Sequence, residues 1–334
     1  MSSQLVMVNR LLRSVVKPVI NYMSMQPHVV LKRRPLLCGA ARLLPMPSQF
    51  KIKPVYFSQF NAEWVDSEKN ASETEKRVVL YLPGGGYIAC SPITHRNLTT
   101  RMTRFAQARV LAVNYRKSPE YPYPYALEDS VEAYKWLLDQ GYKPENITIA
   151  GDSAGGNLTL VTLLELRDRK LPLPAGGVCL SPWTDLTCSG DSMRFNRSHD
   201  PMIPSRRVKH AARLHANGML LDDPRISPLY AELHGLPPIM IHVGDNEVLL
   251  SDSTRFAAKA KSHGVNVNLK VWRNAPHVFQ LFAGVVPQSN HSLKEIGEFM
   301  QMLWGEHFVV EEPVDEAVVP LSMPESVSGV LSPA

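Results

Sequence analysis

The stretch Gly151-Asp152-Ser153-Ala154-Gly155-Gly156-Asn157 decides how this sequence folds. It directly follows Ile147-Thr148-Ile149-Ala150, a short apolar run typical of a buried strand, and it opens the helix predicted over residues 155–169. A nucleophilic serine on a sharp strand-to-helix turn needs small residues two positions before and after it, and Gly151 and Gly155 meet that need. We therefore interpret the stretch as a turn that presents Ser153, rather than as an ordinary glycine-rich turn.

Outward from this turn, short apolar runs alternate with helical patterns. Strands are predicted at residues 77–82, 109–115, 147–150, 177–180, 239–243 and 267–271. Helices are predicted at residues 96–106, 126–139, 155–169, 206–216, 252–262 and 292–304. The alternation predicts a mostly parallel sheet covered by helices on both faces, opened by an antiparallel hairpin from residues 52–57 and 62–65. The connection from Ser181 to Leu236 is too long for a simple crossover, so it is expected to be an insertion with its own helix.

A second glycine cluster, Pro83-Gly84-Gly85-Gly86-Tyr87, follows the predicted strand at residues 77–82. Three consecutive glycines let backbone N–H groups approach a ligand closely, as an oxyanion hole requires. The N–H of Ala154, directly after the nucleophile, would supply the remaining donor. The helix that begins there also points its positive end at Ser153.

The same cluster partly fits the dinucleotide-binding fingerprint through Gly84, Gly86 and Ala89. Two features argue against a dinucleotide. Pro92 should interrupt the helix that the fingerprint requires, and no Asp or Glu occurs between Glu75 and Glu120 to bind a ribose.

A nucleophilic serine needs a base, and the base needs a carboxylate that orients it. His277 lies in a turn just past the predicted strand at residues 267–271, where parallel sheets place their chemistry. The candidate acids Asp245, Glu247 and Asp252 follow the strand at residues 239–243. The chain order serine, acid, histidine is that of the α/β-hydrolases.

Together these features resemble the hormone-sensitive-lipase family of α/β-hydrolase esterases, the bacterial family IV type, over roughly Ile52 to Trp304. The blocks that carry the resemblance are Pro83–Gly86, Tyr115-Arg116 through Pro119-Glu120 to Pro124, Gly151–Asn157, and Glu247–Asp252 with His277. The resemblance implies an α/β-hydrolase fold with a helical cap built from the N-terminus and an insertion. It also implies an oxyanion hole at Gly85, Gly86 and Ala154, and a catalytic triad of Ser153, His277 and an acid.

Two positions depart from the family pattern. The family usually has histidine before the three glycines, where its side chain braces the loop, whereas this chain has Pro83. The usual acid is aspartate, followed by leucine and a second aspartate; here Glu247, Leu249 and Asp252 best fill that pattern. Glu247 is the preferred acid, and Asp245 and Asp252 stay open as alternatives.

The composition is that of a globular protein with a large core, because 44% of the 334 residues are hydrophobic and 20% are charged. We predict a cap segment at residues 1–45, a catalytic domain at residues 46–308 with a cap insertion at about 185–230, and an acidic, disordered tail at residues 309–334. The charge is uneven, since residues 1–62 contain no Asp or Glu and no Lys or Arg follows Lys294.

The N-terminus is predicted to form an amphipathic helix that breaks near Pro18. Its apolar stripe is Leu5, Val8, Leu12, Val15 and Val19. We expect the stripe to pack over the pocket; insertion into a lipid surface, with Arg10, Arg13 and Lys17 facing anionic headgroups, is the less favoured alternative. No apolar run is long enough to span a membrane and no cleavable signal is apparent, so a cytoplasmic location is predicted.

The function that these patterns predict is a serine carboxylesterase that hydrolyses short- to medium-chain esters or lactones through an acyl-enzyme. Neither a cofactor nor a metal is expected, and the four cysteines lack the spacing of a zinc site. The expected partner is a small-molecule ester, not nucleic acid, because no reader motif accompanies the positive charge. The alternative function is a non-hydrolytic relative that only binds its ligand. The sequence does not predict an oligomeric state.

Overall fold

The computed structural model describes residues 2–22, 26–32, 34, 49–67 and 76–305. These residues contain eight strands: β1 Phe50–Tyr56, β2 Asn61–Ser67, β3 Val78–Leu82, β4 Arg109–Asn114, β5 Ile147–Asp152, β6 Gly176–Leu180, β7 Ile239–Gly244 and β8 Val267–Trp272. They form one sheet in the order β1-β2-β4-β3-β5-β6-β7-β8. β2 pairs antiparallel with β1 and β4, and the other neighbours pair parallel. The predicted hairpin and parallel sheet are confirmed.

Helices cover both faces of this sheet. Those of the α/β unit are α3 Pro92–Ala106, α4 Tyr125–Asp139, α5 Ala154–Asp168, α8 Leu250–Ser262 and α9 Pro287–Leu303. The apolar sides of α3 and α9 form one buried cluster with the sheet, and those of α4, α5 and α8 form another on the opposite face. Strands β3, β5, β6 and β7 are buried along their whole length, as strands covered on both faces must be.

Pro92 opens a helix rather than interrupting one, so that sequence expectation is wrong. It stands in the first turn of α3, where the backbone N–H that proline lacks would have no partner inside the helix. The N–H of Ser91 donates to Thr94 Oγ1 (3.1 Å) and closes the helix start. The argument against a dinucleotide site therefore rests on the missing acidic residue alone.

The N-terminal helix also differs from its prediction. It runs without a break through α1 Ser3–Leu11, a π-helical turn at Leu12–Val16 and α2 Lys17–Tyr22. A proline inside a regular α-helix removes a hydrogen bond and clashes with the carbonyl four residues back. The wider π turn just before Pro18 changes that spacing, and the helix continues.

The predicted apolar stripe of this helix is divided between two environments. Leu5, Val8 and Leu12 are buried against Val286. Val15 and Val19, expected in the same stripe, are 51% and 54% exposed. The extra residue in the π turn rotates every later position relative to the earlier ones, which a regular helical period cannot anticipate.

The segment between β6 and β7 lies beside this helix and carries α6 Ser192–Phe195 and α7 Ser205–Ala216. Lys17 Nζ donates to the carbonyl of Arg197 (3.0 Å), and Arg207 Nε donates to the carbonyl of Asn21 (2.9 Å). The predicted tail at residues 309–334 and residues 35–45 of the predicted cap segment lie outside the described residues. No described helix is long and apolar enough to cross a membrane.

Candidate active site

Ser153 stands on the turn between β5 and α5 with φ +54° and ψ −118°, a conformation that non-glycine residues rarely adopt. Its backbone is held on both sides. Its N–H donates to the carbonyl of Leu180 (2.8 Å), and its carbonyl accepts from the N–H of Trp183 (3.0 Å). Such strain persists only where the surroundings fix it, and a strained strand-to-helix turn of this kind is the geometry that a serine nucleophile requires.

The two glycines around Ser153 leave no room for a side chain. A Cβ on Gly151 would lie 2.3 Å from the carbonyl oxygen of Gly155, and a Cβ on Gly155 would lie 1.8 Å from that of Leu82. Both distances are far shorter than a van der Waals contact. The close approach of α5 to β3 and β5 therefore depends on glycine at both positions.

His277 and Glu247 form a buried pair at the same end of the sheet. His277 Nδ1 lies 2.7 Å from Glu247 Oε2, and both side chains are almost completely buried. Burial lowers the pKa of His277, but the carboxylates of Glu247, Asp200 and Asp152 together raise it, and the net pKa lies above the usual histidine value. The pair thus stabilises an imidazolium in a site with little solvent.

Ser181, which sequence reasoning missed, links this pair to the nucleophile turn. Its hydroxyl donates to Glu247 Oε1 (2.7 Å) and accepts from the N–H of Val278 (3.2 Å). Its neighbour Leu180 accepts the N–H of Ser153. The position of Ser181 directly after β6 was the available sequence signal, because side chains at the carboxyl ends of adjacent parallel strands lie close together.

The two alternative candidate acids, Asp245 and Asp252, make other contacts. Asp245 Oδ1 accepts the backbone N–H of Asn274 (2.6 Å) and so fixes the start of the histidine loop. Asp252 is fully buried and accepts the N–H of Asp185 (2.9 Å); burial raises its pKa well above the usual range. Among the three candidate acids, only Glu247 has a recorded contact with His277.

The glycine cluster forms a tight turn beside Ser153. Gly85 and Gly86 have φ of +116° and +63°, where glycine is favoured, and a Cβ on Gly85 would lie 2.3 Å from the carbonyl oxygen of Ala89. The N–H of Gly84 donates to Asp152 Oδ1 (2.9 Å). Within the described part of the chain, the N–H groups of Gly85, Gly86 and Ala154 have no acceptor, so they are available to a ligand.

Asp152 holds this turn through hydrogen bonds, a role that the sequence did not reveal. Besides Gly84, it accepts the Tyr81 hydroxyl (2.6 Å) and lies 3.1 Å from His95 Nε2. Burial raises the pKa of Asp152, but His95, Tyr81 and Gly84 together lower it below its usual value. Tyr115 adds a bond from its hydroxyl to the carbonyl of Pro83 (2.6 Å). The loop is therefore held without the histidine that Pro83 replaces.

Helix α7 packs on the other side of the glycine turn. The His215 ring stacks on Tyr87 with centroids 3.6 Å apart, and a Cβ on Gly86 would lie 3.5 Å from Ala211 Cβ. Burial lowers the pKa of His215 to about 3, so this ring is neutral and acts as a flat apolar surface. The insertion thus contacts the glycine turn directly and limits the space beside it.

One group of three described side chains, Glu232, His234 and His263, has the spacing of metal ligands. The N–H of Leu233 donates to His263 Nδ1 (3.1 Å) and uses the lone pair that a metal would need there. None of the predicted site residues belongs to this group.

Comparison with known proteins gives consistent results. A sequence profile for the alpha/beta hydrolase fold matches residues 79–281. An acetyl-hydrolase of Streptomyces hygroscopicus is 38% identical over 245 residues, which are 73% of this chain and 81% of that protein. An esterase of Acinetobacter venetianus is 34% identical over 271 residues, 81% of this chain and 88% of that protein. The crystal structure of an esterase from the bacterial hormone-sensitive lipase family has a TM-score of 0.84 and 37% identity, and covers 91% of this chain and 99% of its own.

Proposed function

Since this chain belongs to the hormone-sensitive-lipase family of α/β-hydrolases and is a carboxylic ester hydrolase, we propose that it cleaves small esters through an acyl-enzyme on Ser153. His277 is the general base and acid, and Glu247 orients it. Gly85, Gly86 and Ala154 form the oxyanion hole. Neither a cofactor nor a metal takes part in these steps.

The observation that carries the proposal is the buried contact of 2.7 Å between Glu247 Oε2 and His277 Nδ1. It fixes a proton on Nδ1 and leaves Nε2 as the basic nitrogen. Ser181 joins this pair to the backbone that holds Ser153, so base and nucleophile belong to one bonded framework. That framework holds both turns at the carboxyl edge of the sheet, where the proposal requires the serine and the histidine to meet.

In the acylation step, His277 Nε2 takes the proton of the Ser153 hydroxyl while the oxygen attacks the ester carbonyl carbon. The carbonyl oxygen becomes an oxyanion, which the N–H groups of Gly85, Gly86 and Ala154 stabilise. The positive end of α5 adds to this stabilisation. Collapse of the intermediate breaks the bond to the alcohol oxygen, and the imidazolium returns its proton to that oxygen.

Deacylation repeats the sequence with water as the nucleophile. His277 accepts a proton from water, the hydroxyl oxygen attacks the acyl carbon, and the same three N–H groups hold the second oxyanion. Proton return to Ser153 Oγ releases the carboxylic acid. A lactone would follow the same steps, with acid and alcohol released as one molecule.

The preferred acyl chain is short to medium in this proposal. One relative is named an acetyl-hydrolase, and α7 limits the space next to Gly86. Rates of hydrolysis of p-nitrophenyl esters of increasing acyl length give the preference directly. A maximum at acetate to hexanoate is expected, whereas a maximum at long acyl chains would contradict the chain-length part of the proposal.

The nucleophile is tested with an organophosphate ester and peptide mass spectrometry. Stoichiometric label on Ser153 is expected, and Ser153→Ala should lower kcat by about 10⁴-fold or more on p-nitrophenyl acetate. Ser189→Ala, a serine on the insertion, is the matched control and should keep its activity. Label on another serine would contradict the assignment, and ligand binding without label or turnover would favour a non-hydrolytic binding protein.

A further inference from the structure

The N-terminal helix is apolar on two faces, and the described residues cover only one of them. Leu5, Val8 and Leu12 face the protein. The exposed face carries Met7, Leu11, Val15 and Val19, spaced four residues apart and each more than half exposed. Met7 and Leu11 are neighbours on the surface of α1, and the rotation in the π turn leaves Val15 and Val19 exposed further along the helix, so these side chains form one exposed line. A line of large apolar side chains in water is costly unless something covers it.

Positive charge surrounds this line. Residues 1–62 contain no acidic residue, and the neighbouring insertion exposes Arg194, Arg197, Arg206, Lys209 and Arg213. On α7, Arg206, Lys209 and Arg213 follow helical spacing and form one row. In the described part of the chain, none of these five side chains has an acidic partner within ion-pair distance. Their charge is therefore available to an external anion.

The apolar line and the cationic residues form one connected surface, which we call the cap face. Arg13 Nη2 donates to the carbonyl of His199 (2.9 Å), and Lys17 Nζ donates to that of Arg197 (3.0 Å). Arg207 ties α7 to the carbonyl of Asn21 at the end of α2. These bonds place the helix, the loop at residues 196–200 and the start of α7 next to each other.

A cavity of about 450 Å³ opens between α7 and the segment around α6. Its lining includes three cations, two hydroxyls and one carboxylate: Arg194, Arg197, Lys209, Ser189, Ser205 and Asp191. Neither Ser153 nor His277 lines it. Its size and net positive lining suit a phosphate-bearing headgroup.

We propose that the cap face binds a bilayer surface that contains anionic lipid. The exposed line enters the headgroup region, while the cations contact lipid phosphates. A second copy of this chain is a poor partner, because a symmetric contact would bring two cationic faces together. The helix lies parallel to the surface, because Arg10, Arg13 and Lys17 interrupt its apolar residues and no described helix is both long and apolar enough to cross a membrane.

This placement has a consequence for access to the active site. Asn9 Nδ2 donates to the carbonyl of Asn274 (2.9 Å), three residues before His277. The inner face of the helix thus lies on the loop that carries His277, and its outer face would lie in the membrane. The histidine loop would then be about one helix diameter, roughly 10 Å, from the lipid headgroups. The proposal does not depend on the triad assignment.

Vesicle cosedimentation tests the proposal. The full chain should bind vesicles of equal parts phosphatidylcholine and phosphatidylglycerol, bind phosphatidylcholine alone much more weakly, and dissociate progressively as salt rises. Leu11→Ser, Val15→Ser and Val19→Ser combined should lower the partition coefficient by about tenfold or more. Arg206→Gln, Lys209→Gln and Arg213→Gln combined should lower it by about a hundredfold on the anionic vesicles.

Matched controls distinguish binding through the cap face from nonspecific binding of any exposed apolar or charged side chain to the vesicles. Tyr56→Ser with Met302→Ser removes exposed apolar side chains from β1 and α9. Arg104→Gln, Lys135→Gln and Lys261→Gln remove three exposed charges from α3, α4 and α8. Both controls should bind as the unmodified protein does, and hydrolysis of soluble p-nitrophenyl acetate should be unchanged in all variants.

Several results would overturn the proposal. Absence of binding to anionic vesicles would do so, as would equal loss of binding in the control and cap-face variants. A dimer in analytical ultracentrifugation that dissociates in the Leu11, Val15 and Val19 variant, without vesicle binding, would assign the line to self-association instead. Unchanged vesicle binding in either cap-face variant would overturn the proposal as well, whatever happens to soluble-ester turnover.

Discussion

Two buried carboxylate–imidazole pairs lie at the same end of the sheet, Glu247 with His277 and Asp152 with His95. In both, burial lowers the histidine pKa, but the paired carboxylate and other nearby acceptors together raise it to a net value above the usual one. The difference lies in the second ring nitrogen. His95 Nδ1 lies 2.8 Å from Thr94 Oγ1, whereas among the described residues His277 Nε2 has no recorded partner.

This difference sets the proton chemistry that is open to each histidine. A buried ion pair with both ring nitrogens engaged can only hold its surroundings in place, and His95 with Asp152 holds Tyr81 and Gly84. A pair with one free nitrogen can also accept and return a proton. The raised pKa alone does not distinguish the two pairs.

The sharpest test of the comparison is the triad acid. Glu247→Gln should lower kcat by about 10⁴-fold, because the amide no longer fixes the tautomer or stabilises the imidazolium. Asp245→Asn and Asp252→Asn should each change kcat by less than about tenfold. Steady-state hydrolysis of p-nitrophenyl acetate measures all three. A larger loss in Asp252→Asn than in Glu247→Gln would reverse the assignment.

The pair of Asp152 and His95 is tested through the glycine turn that carries the proposed oxyanion hole. Asp152→Ala removes the acceptor of the Gly84 N–H and should lower kcat by about 10²-fold with little change in KM, since the turn no longer presents its donors accurately. Asp152→Asn retains an oxygen for Gly84 and Tyr81 and should recover most of that loss. Circular dichroism and thermal unfolding verify that both variants fold. If Asn is as damaging as Ala, the charge on Asp152 matters more than its bond to Gly84.

The two pairs should also differ in their response to pH. Catalysis needs neutral His277, so kcat/KM should rise as pH increases through its raised pKa. The stabilisation from protonated His95 has the opposite sense: it is complete below pH 6.5 and is lost as pH rises through the raised pKa of His95.

His95→Gln isolates the structural part of this response. The variant should lose about 1 to 3 kcal/mol of unfolding free energy below pH 6.5, less at alkaline pH, and about tenfold in kcat. Urea titrations at several pH values, with Thr94 left intact, give the difference. A loss of stability independent of pH would mean that His95 is neutral in the folded protein.

The smallest effect is expected at Pro83. Asp152 and Tyr115 already hold the glycine turn, so Pro83→His should change kcat by less than about tenfold, equivalent to about 1.4 kcal/mol. The same ester assay measures it. A large gain would mean that the natural turn is poorly formed and would shift the comparison toward a protein specialised for binding.

Much of the fold could be predicted from the sequence because the sequence features that specify it are local. The apolar runs of β3, β5, β6 and β7, the paired glycines at residues 151 and 155, and the order of Ser153, Glu247 and His277 depend on nearby residues or on known chain order. The helix through Pro18 was predicted wrongly, because a π turn has no simple periodic signature. The prediction for Pro92 was wrong because proline interrupts a helix interior but is favoured in the first turn of a helix, where Pro92 lies.

The sequence by itself determined the class of sheet, the nucleophile turn and the family. It preferred Glu247 to Asp245 and Asp252 only through the family pattern, because the three acids lie within eight residues of one another on one loop and its following helix. Only the tertiary structure brought Glu247 to His277 and Asp152 to Gly84 and His95, because those contacts join residues 30 to 68 positions apart across different strands. A residue pattern records which groups are available, whereas the packing of strands and loops decides which of them meet.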